Sequence, residues 1–246
     1  MKKTNCLLWL AFTAASVALR VWQNVAGYEE TGLARRGFLP GLLLPVTLLA
    51  AAVCFVLLAR SLPGRRADGR RLAADFRFAD NMPAVFCAVA GCFLVMIGGG
   101  LYAVSAMGSL MTMLLALLAV AAGGCTLYAV FALYRGGEAQ GMALLVPVCA
   151  SMAFLVLVYR ANAVDPVLSR TYVEIVAVAA LTFSASQRAA FVYGGSAPKR
   201  YIPLSAMSAL LALTAATEGG GLHRAALLIG CAAVELGFLL AAECGE

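Results

Sequence analysis

Charged side chains are scarce in this sequence. Asp, Glu, Lys and Arg together make up 12% of its 246 residues, whereas a soluble globular domain carries about 25%. Hydrophobic residues make up 63%, which is more apolar surface than one water-facing domain can bury. The composition therefore excludes an ordinary soluble domain and indicates an integral membrane protein.

Short segments of alternating polar and apolar residues are also lacking, although a β-barrel needs them at about ten residues each. Instead, several uncharged apolar runs reach about 18 residues or more, enough for a helix to cross about 30 Å of hydrocarbon. We expect residues 1–246 to form one domain, an all-α polytopic membrane bundle. Its eight predicted spans are about 5–22, 38–59, 83–104, 107–134, 141–159, 171–193, 201–217 and 222–242.

The connectors between the runs predict an orientation, because cytoplasmic loops retain Lys and Arg. With the N-terminus inside, twelve Lys and Arg residues fall on the inner side and six, including Arg20 and Arg224, on the outer side. We therefore expect both termini in the cytoplasm and a multi-pass protein of the cell (inner) membrane. The first run also fits a cleaved secretory signal with Ser16 or Ala18 at the cleavage position. Either interpretation leaves Val21 on the same side.

The connector RSLPGRRADGRRLAADFRFADNMP, residues 60–83, holds much of the inner positive charge. Leu72, Phe76 and Ala79 recur at helical spacing, which predicts a short interfacial helix whose arginines face anionic lipid headgroups. A nucleic-acid contact is the alternative, and we assign none despite the sequence pI of about 9.0. The expected partners are the lipid bilayer, its anionic headgroups at this connector, and other membrane subunits or further copies of the chain.

Histidine is limited to His223, and none of the eight cysteines forms a Cys-x-x-Cys pair. A metal site is therefore not expected, and the cysteines inside the spans are interpreted as small packing residues. No nucleophile–base pair and no phosphate-binding loop is recognisable. We expect no cofactor and no catalytic residue, so an enzyme is the least favoured class.

Glycines concentrate in two of the spans. Gly98, Gly99 and Gly100 are consecutive in the third span, and Gly123 lies in the fourth. Small residues let membrane helices approach closely, so helix packing is the first interpretation. The second is an unwound segment whose freed backbone groups bind a substrate at a cavity.

Five charged residues lie inside the predicted spans; Arg20 and Arg224 are counted with the outer side, and the other three are Glu174, Arg188 and Glu235. Taken alone, Glu174 and Arg188 lie near enough to opposite ends of the sixth span for their side chains to reach water or headgroups. Glu235 lies near the middle of the last span, where a carboxylate must be protonated or paired. We predict that Arg188 reaches Glu235, either as a structural pair or as a proton- or solute-coupling group. Polar neighbours expected close to the pair are Ser184, Ser186 and Gln187.

Two classes of function remain open. A transporter-like or small-solute-binding protein would have a cavity lined by Glu235, Arg188, Gln187 and the Gly98–Gly100 region. A non-catalytic scaffold or sensor subunit would instead be a solid bundle with an exposed face of small residues on the first or third span. The likeness to small polytopic bacterial membrane proteins is one of composition and layout, and it names no family.

Overall fold

A computed structural model describes residues 3–28, 39–61, 76–105, 110–137, 141–162, 172–193, 198–218 and 221–243. Within these ranges the chain is helical and contains no β-strand, which confirms the all-α fold. The helices are α1 (Lys3–Ala26), α2 (Leu39–Ser61), α3 (Met82–Ser105), α4 (Leu110–Tyr134), α5 (Gly141–Asn162), α6 (Tyr172–Val192), α7 (Pro198–Ala215) and α8 (Leu222–Glu243).

Five of these helices, α3, α4, α5, α6 and α8, are long and apolar enough to cross a membrane. In α2 a shorter apolar stretch covers Gly41–Leu57. A helix is the form that such runs take in lipid, because it pairs the backbone N–H and C=O groups within one segment. The chain is therefore a helical membrane protein. The count of eight spans and the cytoplasmic position of both termini stay predictions.

Helices α3 to α8 form a closed ring, since each packs against the next and α8 returns to pack against α3. Helices α1 and α2 pack against each other, and both contact α7 on one side of the ring. The indole Nε1 of Trp9 on α1 donates a hydrogen bond to the Ala206 carbonyl on α7 at 2.9 Å. The ring encloses the Arg188–Glu235 pair and the cavity described below.

The closure of the ring between α3 and α8 depends on glycine. A Cβ atom on Gly98 would lie 2.8 Å from Leu227 Cγ and 2.9 Å from the Leu227 backbone nitrogen. A Cβ atom on Gly230 would lie 2.8 Å from the Val95 backbone nitrogen. The two backbones are therefore in direct contact, which is how membrane helices gain packing energy without a hydrophobic driving force.

The other three predicted glycines differ from one another. Gly99 and Gly123 lie where α3 packs against α4, and Cβ atoms there would approach the carbonyl oxygens of Ala116 (3.1 Å) and Cys92 (3.0 Å) respectively. Gly100 is exposed, and a Cβ atom on it would meet nothing within 4 Å. Helix α3 is continuous through Gly98–Gly100, so the triplet is not unwound.

The described end of the segment before α3, residues 76–80, does not form part of the predicted interfacial helix. Residues 76–80 are non-helical, and Phe76 and Phe78 are 1% and 0% exposed. The Arg77 amide donates to the Ala241 carbonyl at 3.1 Å, which ties the segment to the end of α8. The prediction from Phe76 and Ala79 was wrong because both phenylalanines bury in the bundle, leaving Ala79 exposed. Leu72 and the arginines at 65–71 lie outside the described residues.

Candidate functional site

A buried carboxylate, Glu235, is the centre of a group that we call the Glu235 cluster. Glu235 Oε1 lies 3.0 Å from Arg188 Nη2. The hydroxyl groups of Ser184 and Ser205 donate to Glu235 Oε2 at 2.6 Å and 2.9 Å, and the Tyr201 hydroxyl lies 3.4 Å from the same oxygen. Both carboxylate oxygens therefore have partners. The cluster consists of Ser184, Arg188, Tyr201, Ser205 and Glu235.

Helical periodicity assembles this cluster. Ser184 and Arg188 are four residues apart on α6, and Tyr201 and Ser205 are four residues apart on α7, so each pair lies on one helix face. Both faces meet Glu235 on α8, and each of these five side chains is almost completely buried. A charged group removed from water is stabilised only by such pairing and hydrogen bonding. The cluster thus joins three helices of the ring.

Aromatic rings cover the cluster on the side where α6 and α8 end. The Phe76 ring packs edge-on against Phe191, Tyr201 and Phe238, with centroids 5.2 to 5.5 Å apart. The Arg188 guanidinium carbon lies 4.5 Å from the Phe238 centroid, within cation–π range. We call this covering the aromatic layer; it consists of Phe76, Phe78, Phe191, Tyr201 and Phe238.

A cavity of about 100 Å³ lies inside the ring. Its walls come from α3, α4, α5, α6 and α8, the same five helices that are long and apolar enough to span a membrane. Most lining side chains are apolar, while Arg188 and Glu235 lie on its wall. The lining hydroxyls of Thr126 and Ser151 donate to carbonyls of their own helices, at 2.7 Å and 2.9 Å.

Arg188 has a spare donor. Its Nη1 is buried and has no hydrogen-bond partner among the described residues, although Nη2 is paired with Glu235. A buried guanidinium N–H without an acceptor is costly, on the order of 1–3 kcal/mol or more. The guanidinium at the cavity wall can therefore accommodate an additional acceptor atom.

The structure brings together only part of the predicted set. Arg188 and Glu235 meet as expected, and Ser184 joins them. Arg188 is 4% exposed, so the expectation that it reaches the membrane edge was wrong: its carboxylate partner lies in the interior. Ser186 donates instead to the Phe183 carbonyl at 2.7 Å.

The remaining predicted residues lie elsewhere. Gln187 lines an open surface groove together with Arg60 and Arg200. Gln187 precedes Arg188 by one position. Because one residue turns a helix by about 100°, the two side chains point in different directions. The cavity wall includes Gly123 but not the Gly98–Gly100 triplet.

Glu174 belongs to a second polar group, which sequence reasoning missed and which we call the Arg20 cluster. Arg20 is 0% exposed. Its Nη2 lies 2.6 Å from Glu218 Oε1, and its Nη1 donates to Gln23 Oε1 at 2.8 Å. The Tyr172 ring lies beneath the guanidinium, 5.5 Å from Cζ to centroid. The cluster consists of Arg20, Gln23, Tyr172, Glu174, Glu218 and Arg224.

Glu174 was expected to reach water or headgroups, but it is 3% exposed. Its Oε2 faces Arg224 Nη1 at 3.5 Å, while its Oε1 has no hydrogen-bond partner in the described part of the chain. Glu218, in the turn between α7 and α8, likewise has an Oε2 without a partner there. Burial raises the pKa of Glu218 to about 7, Arg20 opposes this rise, and the nearby Glu174 carboxylate adds to it.

The sequence contained one signal for this cluster. The first span was ended near Arg20 because a charge was taken as the edge of the membrane, whereas α1 continues to Ala26. Arg20 and Gln23 are three residues apart, so a continued helix places them on one polar face. Their partner Glu218 lies 198 positions from Arg20, and such a contact cannot be identified from one sequence.

The cysteines and the histidine form no recognisable metal centre in the described ranges. Cys54, Cys87, Cys92, Cys125, Cys149 and Cys231 are free thiols. No group of three or more His, Cys, Asp or Glu side chains among the described residues is arranged to hold a metal ion. His223 packs against the Tyr102 ring, with centroids 5.0 Å apart.

Comparison with protein-family models, with curated proteins and with solved structures finds no match to this chain. Functional inference therefore depends on the two buried clusters and the cavity.

Proposed function

We propose that this protein is a transporter-like membrane protein that binds a small solute in the cavity inside the ring. The observation that carries the proposal is the buried Arg188 Nη1, which has no hydrogen-bond partner among the described residues and belongs to a side chain on the cavity wall. A donor held in this way favours a ligand with a hydrogen-bond acceptor, since pairing removes the cost of the buried N–H.

The size and lining of the cavity indicate the kind of solute. A volume of about 100 Å³ corresponds to roughly three water molecules at about 30 Å³ each. The ligand would therefore have few heavy atoms. With mostly apolar walls and the Arg188–Glu235 pair on one side, the site suits a short apolar body carrying a carboxylate or carbonyl oxygen.

The positions of two packed groups, one at each end of the ring, also support the proposal. The aromatic layer covers the Glu235 cluster at one end of the ring, and the Arg20 cluster lies where α6 and α8 begin, at the other end. Secondary transporters place their solute site near the bilayer midplane and open it alternately to the two sides.

The proposal includes the predicted layout of the chain in the membrane. This layout has eight spans, both termini in the cytoplasm, a location in the cell (inner) membrane, and contact with anionic lipid at residues 60–83.

The test uses purified protein in detergent and its thermal stability. Sodium acetate and acetamide are the probes that carry a hydrogen-bond acceptor. Ethylammonium chloride, whose cation donates hydrogen bonds but accepts none, is the control probe, and all samples contain the same chloride concentration. We expect the Tm to rise with the first two and not with the third. Ala150→Leu fills the cavity wall and should abolish the rise. Cys149→Leu adds the same side chain one position away on an exposed face and should retain it.

Uptake of labelled acetate into proteoliposomes would then separate transport from binding alone. If no acceptor-bearing probe raises the Tm, while Ala150→Leu folds and is more stable than the wild type, the cavity is a packing defect and the proposal is wrong.

The scaffold or sensor function remains the second candidate because of α1. Its alanines at 11, 14, 15 and 18 are exposed, whereas Gly98 and Gly99 of α3 are covered by α8 and α4. A partner helix would bury the α1 alanines. Replacing Ala14 with Leu would then disrupt a complex that purifies in mild detergent, and it would leave the acetate response unchanged.

A further inference from the structure

Two buried carboxylates in the Arg20 cluster are incompletely paired. Glu174 Oε1 and Glu218 Oε2 are both buried, and neither has a hydrogen-bond partner among the described residues. The side chains of Glu174 and Glu218 are 5% and 7% exposed. A buried acceptor without a partner is uncommon in folded proteins, so each of these oxygens calls for a ligand.

Glu235 provides the contrast within the same chain. One of its oxygens pairs with Arg188, and the other accepts hydrogen bonds from Ser184 and Ser205. Both Glu235 oxygens therefore have partners, whereas Glu174 and Glu218 each have one carboxylate oxygen without a partner among the described residues.

The charges around the second pair do not satisfy both carboxylates. Arg20 from α1 pairs with Glu218 at 2.6 Å, and Arg224 from α8 lies 3.5 Å from Glu174. Among the described residues, further titratable groups at this end are Tyr172 on α6, Tyr28, which interacts with Tyr172, and His223 on α8, which packs against Tyr102. Two neighbouring carboxylates in a buried site cannot both ionise without cost, and one proton relieves the repulsion.

We propose that Glu174 and Glu218 form a proton-binding site at the end of the ring opposite the aromatic layer. A hydronium ion in the surrounding water transfers its proton to one unpartnered carboxylate oxygen: an O–H bond of the hydronium ion breaks, an O–H bond forms on the carboxyl group, and a water molecule is released. Arg224, whose side chain is 30% exposed, places the site within reach of the surrounding water. The site requires no solute in the cavity, so its test is independent of the test of the solute-binding function.

Infrared difference spectroscopy of the purified protein between pH 5.5 and 8.5 tests this proposal directly. The wild type should lose a protonated carboxyl band with a midpoint near pH 7, the value to which burial raises the pKa of Glu218. Glu218→Gln keeps an acceptor for Arg20 and should remove the band, and Glu174→Gln should shift its midpoint downwards. Asp80→Asn changes an exposed carboxylate and should leave the band unchanged.

Stability provides the second readout. The folded chain holds the Glu218 proton up to about pH 7, whereas the group ordinarily releases it near 4.5. Since the folded state then binds more protons between these values, wild-type stability should fall as the pH rises through them. Glu218→Gln should flatten this slope.

Two results would overturn the proposal. The first is a carboxyl band that persists in Glu218→Gln, keeps its midpoint in Glu174→Gln, or is missing from the wild type. The second is a Tm at pH 8 that rises with sodium chloride but not with choline chloride, and does so only when Glu218 is present. That result would show that Glu174 Oε1 and Glu218 Oε2 bind a metal cation instead of a proton. If one variant does not fold, the other with the wild type still decides between these outcomes.

Discussion

Replacing each glycine of the Gly98–Gly100 triplet with alanine should change the free energy of unfolding by a different amount at each position. The three positions share one helix and one substitution, so the gain in helix propensity, about 1 kcal/mol, is the same for each. They differ in what the new Cβ atom meets. At Gly98 the nearest backbone atom is 2.9 Å away, at Gly99 it is 3.1 Å away, and at Gly100 nothing lies within 4 Å.

The distances give the size of the effect. At Gly98 the obstruction includes the Leu227 nitrogen and the His223 carbonyl, so α3 and α8 must separate by about half an ångström to restore ordinary contact at 3.4 Å. Overpacking of this kind costs about 1–3 kcal/mol. The difference between Gly98→Ala and Gly100→Ala isolates that cost. Gly99→Ala should fall between them, because Val120 Cγ2 at 3.0 Å belongs to a side chain that can move.

The assay is reversible unfolding in mixed micelles of a mild detergent and sodium dodecyl sulfate, followed by circular dichroism. Gly124→Ala, which adds a Cβ atom in open space on α4, is the control and should behave like Gly100→Ala. If Gly98→Ala and Gly100→Ala have the same free energy of unfolding within about 0.5 kcal/mol, the contact between the α3 and α8 backbones is not present in the membrane protein.

Two other substitutions test the Glu235 cluster and the layer above it. Glu235→Gln should destabilise the fold by about 3–5 kcal/mol in the same assay, since Arg188 stays buried without a counter-charge. Adding Arg188→Met should recover much of that loss, and failure to recover it would contradict the pairing. Phe76→Ala should cost about 3–5 kcal/mol and make Cys92 on the cavity wall react faster with a maleimide. An unchanged labelling rate would show that Phe76 does not close that end.

The helices could be predicted from the sequence because an apolar run in hydrocarbon must pair its backbone N–H and C=O groups within the segment, and a helix does so. The predicted spans 83–104 and 222–242 differ by one residue or less at either end from α3 (Met82–Ser105) and α8 (Leu222–Glu243). The first span was ended too early for the same reason, because Arg20 was taken as the membrane boundary. A charge marks a boundary only if it lies in water, and Arg20 lies in the interior against Glu218.

The candidate site was predictable only to the extent that charge is costly in lipid. Glu235 required a charged partner inside the membrane, and Arg188 was a cation whose side chain was predicted to reach it. Their pairing therefore followed from the energetics of burial. Tyr201 and Ser205 complete the cluster from α7, and no periodicity in the sequence indicates that α7 lies beside Glu235. Gln187 was included because it is adjacent to Arg188 in sequence, although adjacent residues on a helix face different directions.

The order in which the helices are synthesised affects how the ring assembles. Helix α8 is synthesised after α3 and α6, yet it carries the carboxylate that neutralises Arg188 and the glycine that packs against α3. Until α8 leaves the ribosome, α6 carries a cation without its counter-charge, and the glycine face of α3 has no cover. The burial of Arg188 in α6 is therefore uncompensated until α8 is in place, and a chain truncated before Glu235 would retain an unpaired buried arginine, which destabilises the fold.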